Sequence, residues 1–439
     1  MQVSSVESAL SQLTESSKQR ARDFVGSGER LWCLVYDNIN FTFRKASQRL
    51  HNATEQINAT TSAVIALPAC FATTAFEGAC RVSNQTQRQQ SSGRRKMTLH
   101  ELVPTLEQQS QLRSAFRHAV CSLLLDNLPG LKGDENRIRQ IKSKVAAAKL
   151  VVRPLEGAGE KTNFYPLPAL NEEESSVRGT IRVVQKLVRD ILGLGVEIAA
   201  SKLRFFVGDW LTIRNLRLMK YIRITEPEAW GRMDWVQEVA MPFHFQLNAM
   251  YMLFRTHLGE SDNNPSCLDR HWTRLRRYKL DKKKPEFNQA RELMEQSLVA
   301  RLLDITRFVQ CFSKSNLLTG CSIRIILKLE TTEELYEWQP RWQEFNGVVH
   351  TIVDEYSMVF EADTTLATTD NVLKHSKLFI RDALIFWVFS DAIRHEDVGL
   401  MWLVYTFWLF MFRGVGCHNY GNELLEMTAQ FRYEMTEQL

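Results

Sequence analysis

The sequence predicts an α+β protein: a small sheet formed early in the chain and a much larger helical portion that follows. Three observations predict it. Short β-branched and aromatic runs occur at 31–37, 60–69 and 203–208. Apolar residues recur at helical spacing through 99–149 and 177–200, for example Ile181, Val184, Leu187, Val188 and Ile191. Beyond Pro242 almost every segment has helical character, broken at 259–266, at 281–285 and near Pro340. No repeat of fixed period is present.

The elements are expected in this order. Residues 1–30 form an amphipathic helix. The run "LWCLVYD" is an apolar strand that ends on Asp37, and "TTSAVIALPA" at 60–69 is its neighbour. Residues 81–98, rich in Gln, Ser and Arg, read as a loop or linker whose Arg94, Arg95 and Lys96 suit a phosphate contact. Residues 99–149 are helical, and 153–176, with their prolines and "NEEESS", are again a loop. A helix at 177–200 leads into the strand "LRFFVGD", after which a basic helix carries Arg214, Arg217, Lys220 and Arg223. Helices at 377–395, 398–413 and 419–437 close the chain.

Composition bounds the function. The 439 residues exceed one ordinary core and imply two or three domains, or one domain with large insertions. Hydrophobic residues at 44% and charged residues at 24% argue against bulk disorder. The net charge of +5 is mildly basic, so any nucleic-acid surface must be a local patch. Eight scattered cysteines without a CxxC pair fit neither a zinc ribbon nor a disulfide framework. No basic region followed by an apolar core opens the chain, so the sequons at Asn52, Asn58 and Asn84 are expected to be unused. The apolar stretch 398–412 falls short of the ~20 residues that span a bilayer. It is expected to be a buried helix, with no membrane association.

The candidate chemistry lies in the aspartates. Asp37 and Asp209 each follow a buried apolar strand, so each sits at a sheet end. Two carboxylates brought together on adjacent strands repel, and a divalent cation relieves that repulsion by taking their oxygens as ligands. Such a site can activate a water or hydroxyl and stabilise a leaving oxygen in phosphoryl transfer. The plainer reading is that Asp37-Asn38 and Gly208-Asp209 are turn formers. In "GVGCHNYGNELLEM", Asn419 and Glu423 share a helix face. Glu426 points about as well, with Asp382, Asp391 and Asp397 as weaker rivals. His244 and Asn248 form an i, i+4 pair next to the sheet, for which a buried structural role is the plainer reading.

The motifs "VYDNINF", "GDWLT", "PFHFQLNAM" and "GCHNYGNELL", with "RDALIFWVFSDAIRHEDVG" at 381–399, resemble in that order an uncharacterised fungal family, a transposon-derived domain of unknown function. The likeness runs from about residue 30 to the end. Its layout is similar to that of ribonuclease H-like (DDE-type) transposases, which place one Asp on the first strand, a second after the fourth, and an acid on a late helix. The resemblance therefore implies a small ribonuclease H-like mixed sheet with a large all-helical insertion and a helical C-terminal region. It implies Asp37, Asp209 and Glu423 as metal ligands and catalytic acids for Mg²⁺ or Mn²⁺, with Asn38, His244 and Asn419 behind them. Trp210 stands where the family often carries Gln, which changes the rim of the site. Longer members also carry more sequence before the first strand, so the chain is expected to be a fragment or inactive if that part is required.

The implied domains are an N-terminal helix at 1–30, first core strands at 31–80 and a helical or loop insertion at 81–176. Core helix, strand and helix follow at 177–245, a helical insertion at 246–376, and helices completing the core at 377–439. DNA is the implied partner, no small-molecule cofactor is expected, homo-oligomers are allowed, and the location is intracellular and nuclear. The basic segment 269–285, with Arg270, Arg274, Arg276, Arg277 and Lys279 beside Trp272 and Tyr278, suits phosphate neutralisation and stacking, as do Arg214, Arg217 and Lys220. The plainer reading of that segment is a solvated surface. The second functional class is a non-catalytic, domesticated helical protein that binds nucleic acid or a protein partner. Convergence of Asp37, Asp209 and Glu423 would separate the two.

Overall fold

A computed structural model describes residues 3–44, 54–71, 74–131, 134–262, 264, 266–277, 281–282, 285–313, 338–357, 371–436 and 439. Its strands are β1 (Trp32–Phe43), β2 (Glu55–Ala66), β3 (Phe164–Leu170), β4 (Arg204–Gly208) and β5 (Val236–Ala240). Among the described residues, the helices of nine or more residues are α1 (Val3–Ser27), α2 (Val82–Ser91), α3 (Leu106–Asn127), α4 (Glu135–Ala147), α5 (Val177–Gln185) and α6 (Trp210–Ile222). They continue with α7 (Pro242–His257), α8 (Phe287–Ser313), α9 (Trp342–Tyr356), α10 (Asn371–Arg394), α11 (Val398–Gly414) and α12 (His418–Tyr433).

The strands form one mixed sheet in the order β3-β2-β1-β4-β5. β2 runs antiparallel to β1 and β3, whereas β4 runs parallel to β1 and β5 parallel to β4. This confirms the α+β class with a small mixed sheet. The first unit of the chain, residues 1–98, 156–244 and 422–439, carries this sheet. Trp32, Leu34 and Tyr36 of β1 alternate onto one face and are buried there, as is Phe206 of β4. Tyr36 meets Phe206 edge-on with ring centroids 6.3 Å apart, and Trp235 packs on Phe206 at 5.9 Å. Phe24 of α1 stacks on Tyr165 of β3 at 4.6 Å.

The second unit, residues 99–155 and 245–421, is built from helices. Its aromatic core joins α7, α10 and α11: Phe389 lies 4.4 Å from Trp408, and Phe245 lies 4.8 Å from Tyr405. The apolar stretch 398–412 is indeed a helix with a largely buried surface. Leu400, Leu403, Val404, Phe407, Trp408 and Phe412 are all interior. Asp397 caps it by accepting from the Leu400 N–H, and also accepts from the Val152 and Arg153 N–H groups. No helix among the described residues is long and apolar enough to cross a membrane.

Several elements differ from expectation. β1 does not stop at Asp37: it continues to Phe43 because "NINFTF" pairs residue by residue with β2. Residues 82–91 are a helix, since Gln and Arg are adequate helix formers once one side is packed. The stretch around 164–170 is a strand despite Pro166 and Pro168. It lies on the edge of the sheet, where a missing N–H leaves no ladder bond unmade. β5 was not foreseen at all, because "VQEVA" is too short to show a period. Residues 377–421 fall in the helical unit, and only 422–439 belong with the sheet. The described cysteines Cys33, Cys70, Cys80, Cys121, Cys267 and Cys417 form no disulfide, while Cys321 lies outside the described residues.

Candidate functional site

The register of the sheet brings Asp37 and Asp209 side by side. β1 and β4 pair in parallel as Cys33–Phe205, Leu34–Phe206 and Val35–Val207. Carried two residues further, the same offset sets Asp37 level with Asp209. Neighbouring strands lie ~4.8 Å apart, and the Asp209 charge is near enough to act on Asp37. β4 ends at Gly208, and Asp209 becomes the N-cap of α6, its Oδ1 accepting from the Thr212 N–H at 2.8 Å. Gly208 is required there: a Cβ would lie 2.4 Å from the Thr212 methyl. Asp37 Oδ1 accepts from the Asn38 N–H at 2.8 Å. Partial burial raises the Asp37 pKa and the Asp209 charge raises it further, while the Asn38 N–H and His244 oppose the shift. Thus His244, expected behind the aspartates, lies close enough to act on Asp37.

A third carboxylate joins them, and it is not the one chain order suggested. Glu174 is 2% exposed. Its Oε1 accepts from the Thr212 hydroxyl at 3.1 Å. Its backbone is held on three sides: its N–H donates to Asn38 Oδ1 at 3.4 Å, and its carbonyl accepts from Asn215 Nδ2 at 3.0 Å and from the Thr180 hydroxyl at 3.1 Å. Ser176 caps α5 by accepting from the Gly179 N–H. Gly179 lets the preceding loop lie against the helix, since a Cβ would meet the Glu173 carbonyl at 1.8 Å. Burial drives the Glu174 pKa up to about 8. The charges of Asp209 and Asp37 add to that, and the Thr212 hydrogen bond opposes it. Among the described residues, Glu174 Oε2 is buried with no hydrogen-bond partner, and so is the hydroxyl of Tyr36. Among the described residues, no three His, Cys, Asp or Glu side chains are gathered closely enough to cage a metal ion by themselves.

The structure places Glu423 in a different constellation. Its two oxygens accept from both terminal nitrogens of Arg217, at 2.5 and 2.7 Å. Arg217 Nε donates to Glu238 at 3.0 Å, and Lys220 donates to the other Glu238 oxygen at 2.5 Å. Gln430 adds a bond to Glu238 at 2.9 Å. Arg217 lies eight residues along α6 from Asp209, about 12 Å at a rise of 1.5 Å per residue. The Glu423 carboxylate is therefore committed to a buried ion cluster. Burial opposes ionisation of Glu238, but Lys220 and Arg217 outweigh it and hold its pKa down to about 2. Glu426 and Glu434 pair with Arg94, so that arginine faces carboxylates. Asn419 is exposed at the start of α12 and belongs to the helical unit. The rival acids are engaged as well: Asp382 with His257 and Arg381, and Asp391 with Lys149 and His395.

The expected basic contacts are partly spent. Arg217 and Lys220 are occupied by Glu238, while Arg214 is exposed and reaches over the Trp210 ring at 5.9 Å. In the helical unit, Arg277 forks onto Glu292 at 2.5 and 2.9 Å, and Lys282 pairs with Asp269 while lying 4.4 Å over Trp272. Arg274 and Arg276 are exposed, Arg270 is half-buried, and Lys279 and Tyr278 lie outside the described residues.

Reading the sequence in isolation missed Glu174. Its only signal was the run "NEEESS", in which Glu172 pairs with Arg182 and Lys186 and Glu174 turns inward. Comparison with curated proteins and with solved structures returned no match. A family model matches residues 92–439, a segment that begins after β1 and β2 and takes in Glu174, Asp209 and Glu423. By that match the chain belongs to a family of unknown function (DUF6589).

Proposed function

We propose that Asp37 and Asp209 hold a divalent cation, Mg²⁺ or Mn²⁺, and that the site serves phosphoryl transfer on DNA, as a transposase-derived domain of ribonuclease H-like layout. The observation that carries this reading is the parallel β1–β4 register, which aligns an acid on the first strand with an acid directly after the fourth. The residues fit such an ion. Mg²⁺ keeps several waters and commonly takes only one or two carboxylates from the protein. Asp37 and Asp209 each have one oxygen fixed by a backbone N–H, which orients the other. The buried Glu174 Oε2, within reach of both charges, is an acceptor for which the described residues supply no donor. A bound cation would supply activation of a water or hydroxyl and stabilisation of the leaving oxygen. Asp209 orients its carboxylate through the α6 N-terminus, and Trp210 and Arg214 form a rim that suits a base and a phosphate.

Mg²⁺ or Mn²⁺ at millimolar concentration is expected to raise the melting temperature, since an ion that binds the folded state stabilises it. Asp209→Asn keeps a competent helix cap and is expected to abolish the rise. No rise in the wild type would remove the cation site. DNA as substrate has its own test. Replacing Arg274, Arg276 and Arg277 by Ala is expected to weaken duplex binding alike for all sequences and to flatten its salt dependence, at about −0.9 in slope per phosphate contact. An unchanged slope in filter binding would leave that segment as solvated surface.

A second reading, a non-catalytic protein that keeps the fold and binds nucleic acid or a protein partner, is favoured by one observation: Glu423 is spent on Arg217. Strand cleavage of a plasmid in Mn²⁺ that disappears in Asp37→Asn and Asp209→Asn would exclude it.

A further inference from the structure

Glu174 completes the site in a way that chain order did not supply, and its role rests on the cation site proposed above. Its carboxylate is almost fully buried, with one oxygen bonded to Thr212 and the other to nothing among the described residues. An acceptor left so is costly in a folded protein. Such an atom persists when something outside the protein satisfies it. Direct ligation does not match the placement: among the described residues, no three acidic, histidine or cysteine side chains lie close enough to hold one ion together. The Thr212, Asn38, Asn215 and Thr180 bonds also hold Glu174 where it is. Asp37 and Asp209 between them leave most of a six-coordinate ion to water. We propose that Glu174 is an outer-sphere carboxylate of this site, its Oε2 accepting a hydrogen bond from a water in the cation's hydration shell. Glu174 thereby orients that water from the protein side, as carboxylates behind a first ligand shell do. The orphaned Tyr36 hydroxyl lies within the influence of the same carboxylate and of Asp209.

The test measures Mn²⁺ affinity of the full chain from the free-ion electron spin resonance signal, together with melting in the absence of metal. Glu174→Gln retains the acceptor for Thr212 and replaces Oε2 by a donor. It is expected to bind Mn²⁺ 10–100-fold more weakly than wild type, the effect typical of losing an outer-shell partner, with metal-free melting unchanged or higher. Asp209→Asn is expected to lose binding altogether. Unchanged affinity in Glu174→Gln, with Asp209→Asn still inactive in binding, would overturn the role of Glu174 and leave the cation site standing. A loss in Glu174→Gln as complete as in Asp209→Asn would overturn the outer-sphere assignment in favour of direct ligation. A wild type that binds no Mn²⁺ would overturn both.

Discussion

Replacing Arg217 by alanine is expected to destabilise the sheet-bearing unit by about 3–5 kcal/mol, the usual result of removing one partner from a buried ion pair. Glu238 and Glu423 are both nearly inaccessible, with side chains 1% and 2% exposed, and both depend on this guanidinium. Its planar fork meets Glu423 with two parallel bonds while Nε serves Glu238, a geometry lysine cannot reproduce. Arg217→Lys is therefore expected to recover only part of the loss. The effect arises mainly from the Glu423 charge, which loses its guanidinium partner while Glu238 keeps Lys220, and not from the strength of the bonds themselves. A triple change that also converts Glu238 to Gln and Glu423 to Gln should consequently be milder than Arg217→Ala. Urea denaturation measures all three. An Arg217→Ala midpoint close to wild type would show that water reaches these acids and that the cluster does not hold the end of α12 to α6.

The metal-free protein is expected to lose stability as pH rises from about 4.5 to about 8, and Glu174 is the cause. Its folded pKa of about 8 stands above the ordinary glutamate value of 4.5. A group with a raised folded value binds its proton more tightly in the native state. Its contribution is thus fully present below 4.5 and disappears as pH climbs through 8. The difference corresponds to something on the order of 5 kcal/mol. Asp37, Asp209 and Tyr36 are the titratable groups that act on it or respond to it. Glu238 works in the opposite sense. Held down to about 2, it stabilises the fold above 4.5 and that contribution is lost as pH falls toward 2. In EDTA, melting temperature plotted against pH should therefore fall on both sides of the mildly acidic range. Glu174→Gln should flatten the neutral-to-alkaline limb and leave the acid limb in place. A neutral-to-alkaline limb that persists in Glu174→Gln would assign it to another group.

By itself, the sequence determined the α+β class, the apolar cores of β1, β2 and β4, the late helices, and the two aspartates that end up level with each other. Each of these is a local property: a run of β-branched and aromatic residues, a helical period, or a carboxylate directly following an apolar strand. Even the pairing of Asp37 with Asp209 needed only that the two strands be neighbours. The tertiary structure alone decided which glutamate stands with them. Glu423 and Glu174 are both unremarkable in their own segments. One is drawn to an arginine 206 residues earlier, and the other is fixed through its backbone to an asparagine 136 residues earlier. Whether a carboxylate is neutralised by a cation or stranded among carboxylates depends on which distant segments pack over it, and no local period carries that information. The same holds for β3, whose prolines argue against a strand until the edge of a sheet, where their missing N–H groups are harmless, accommodates them.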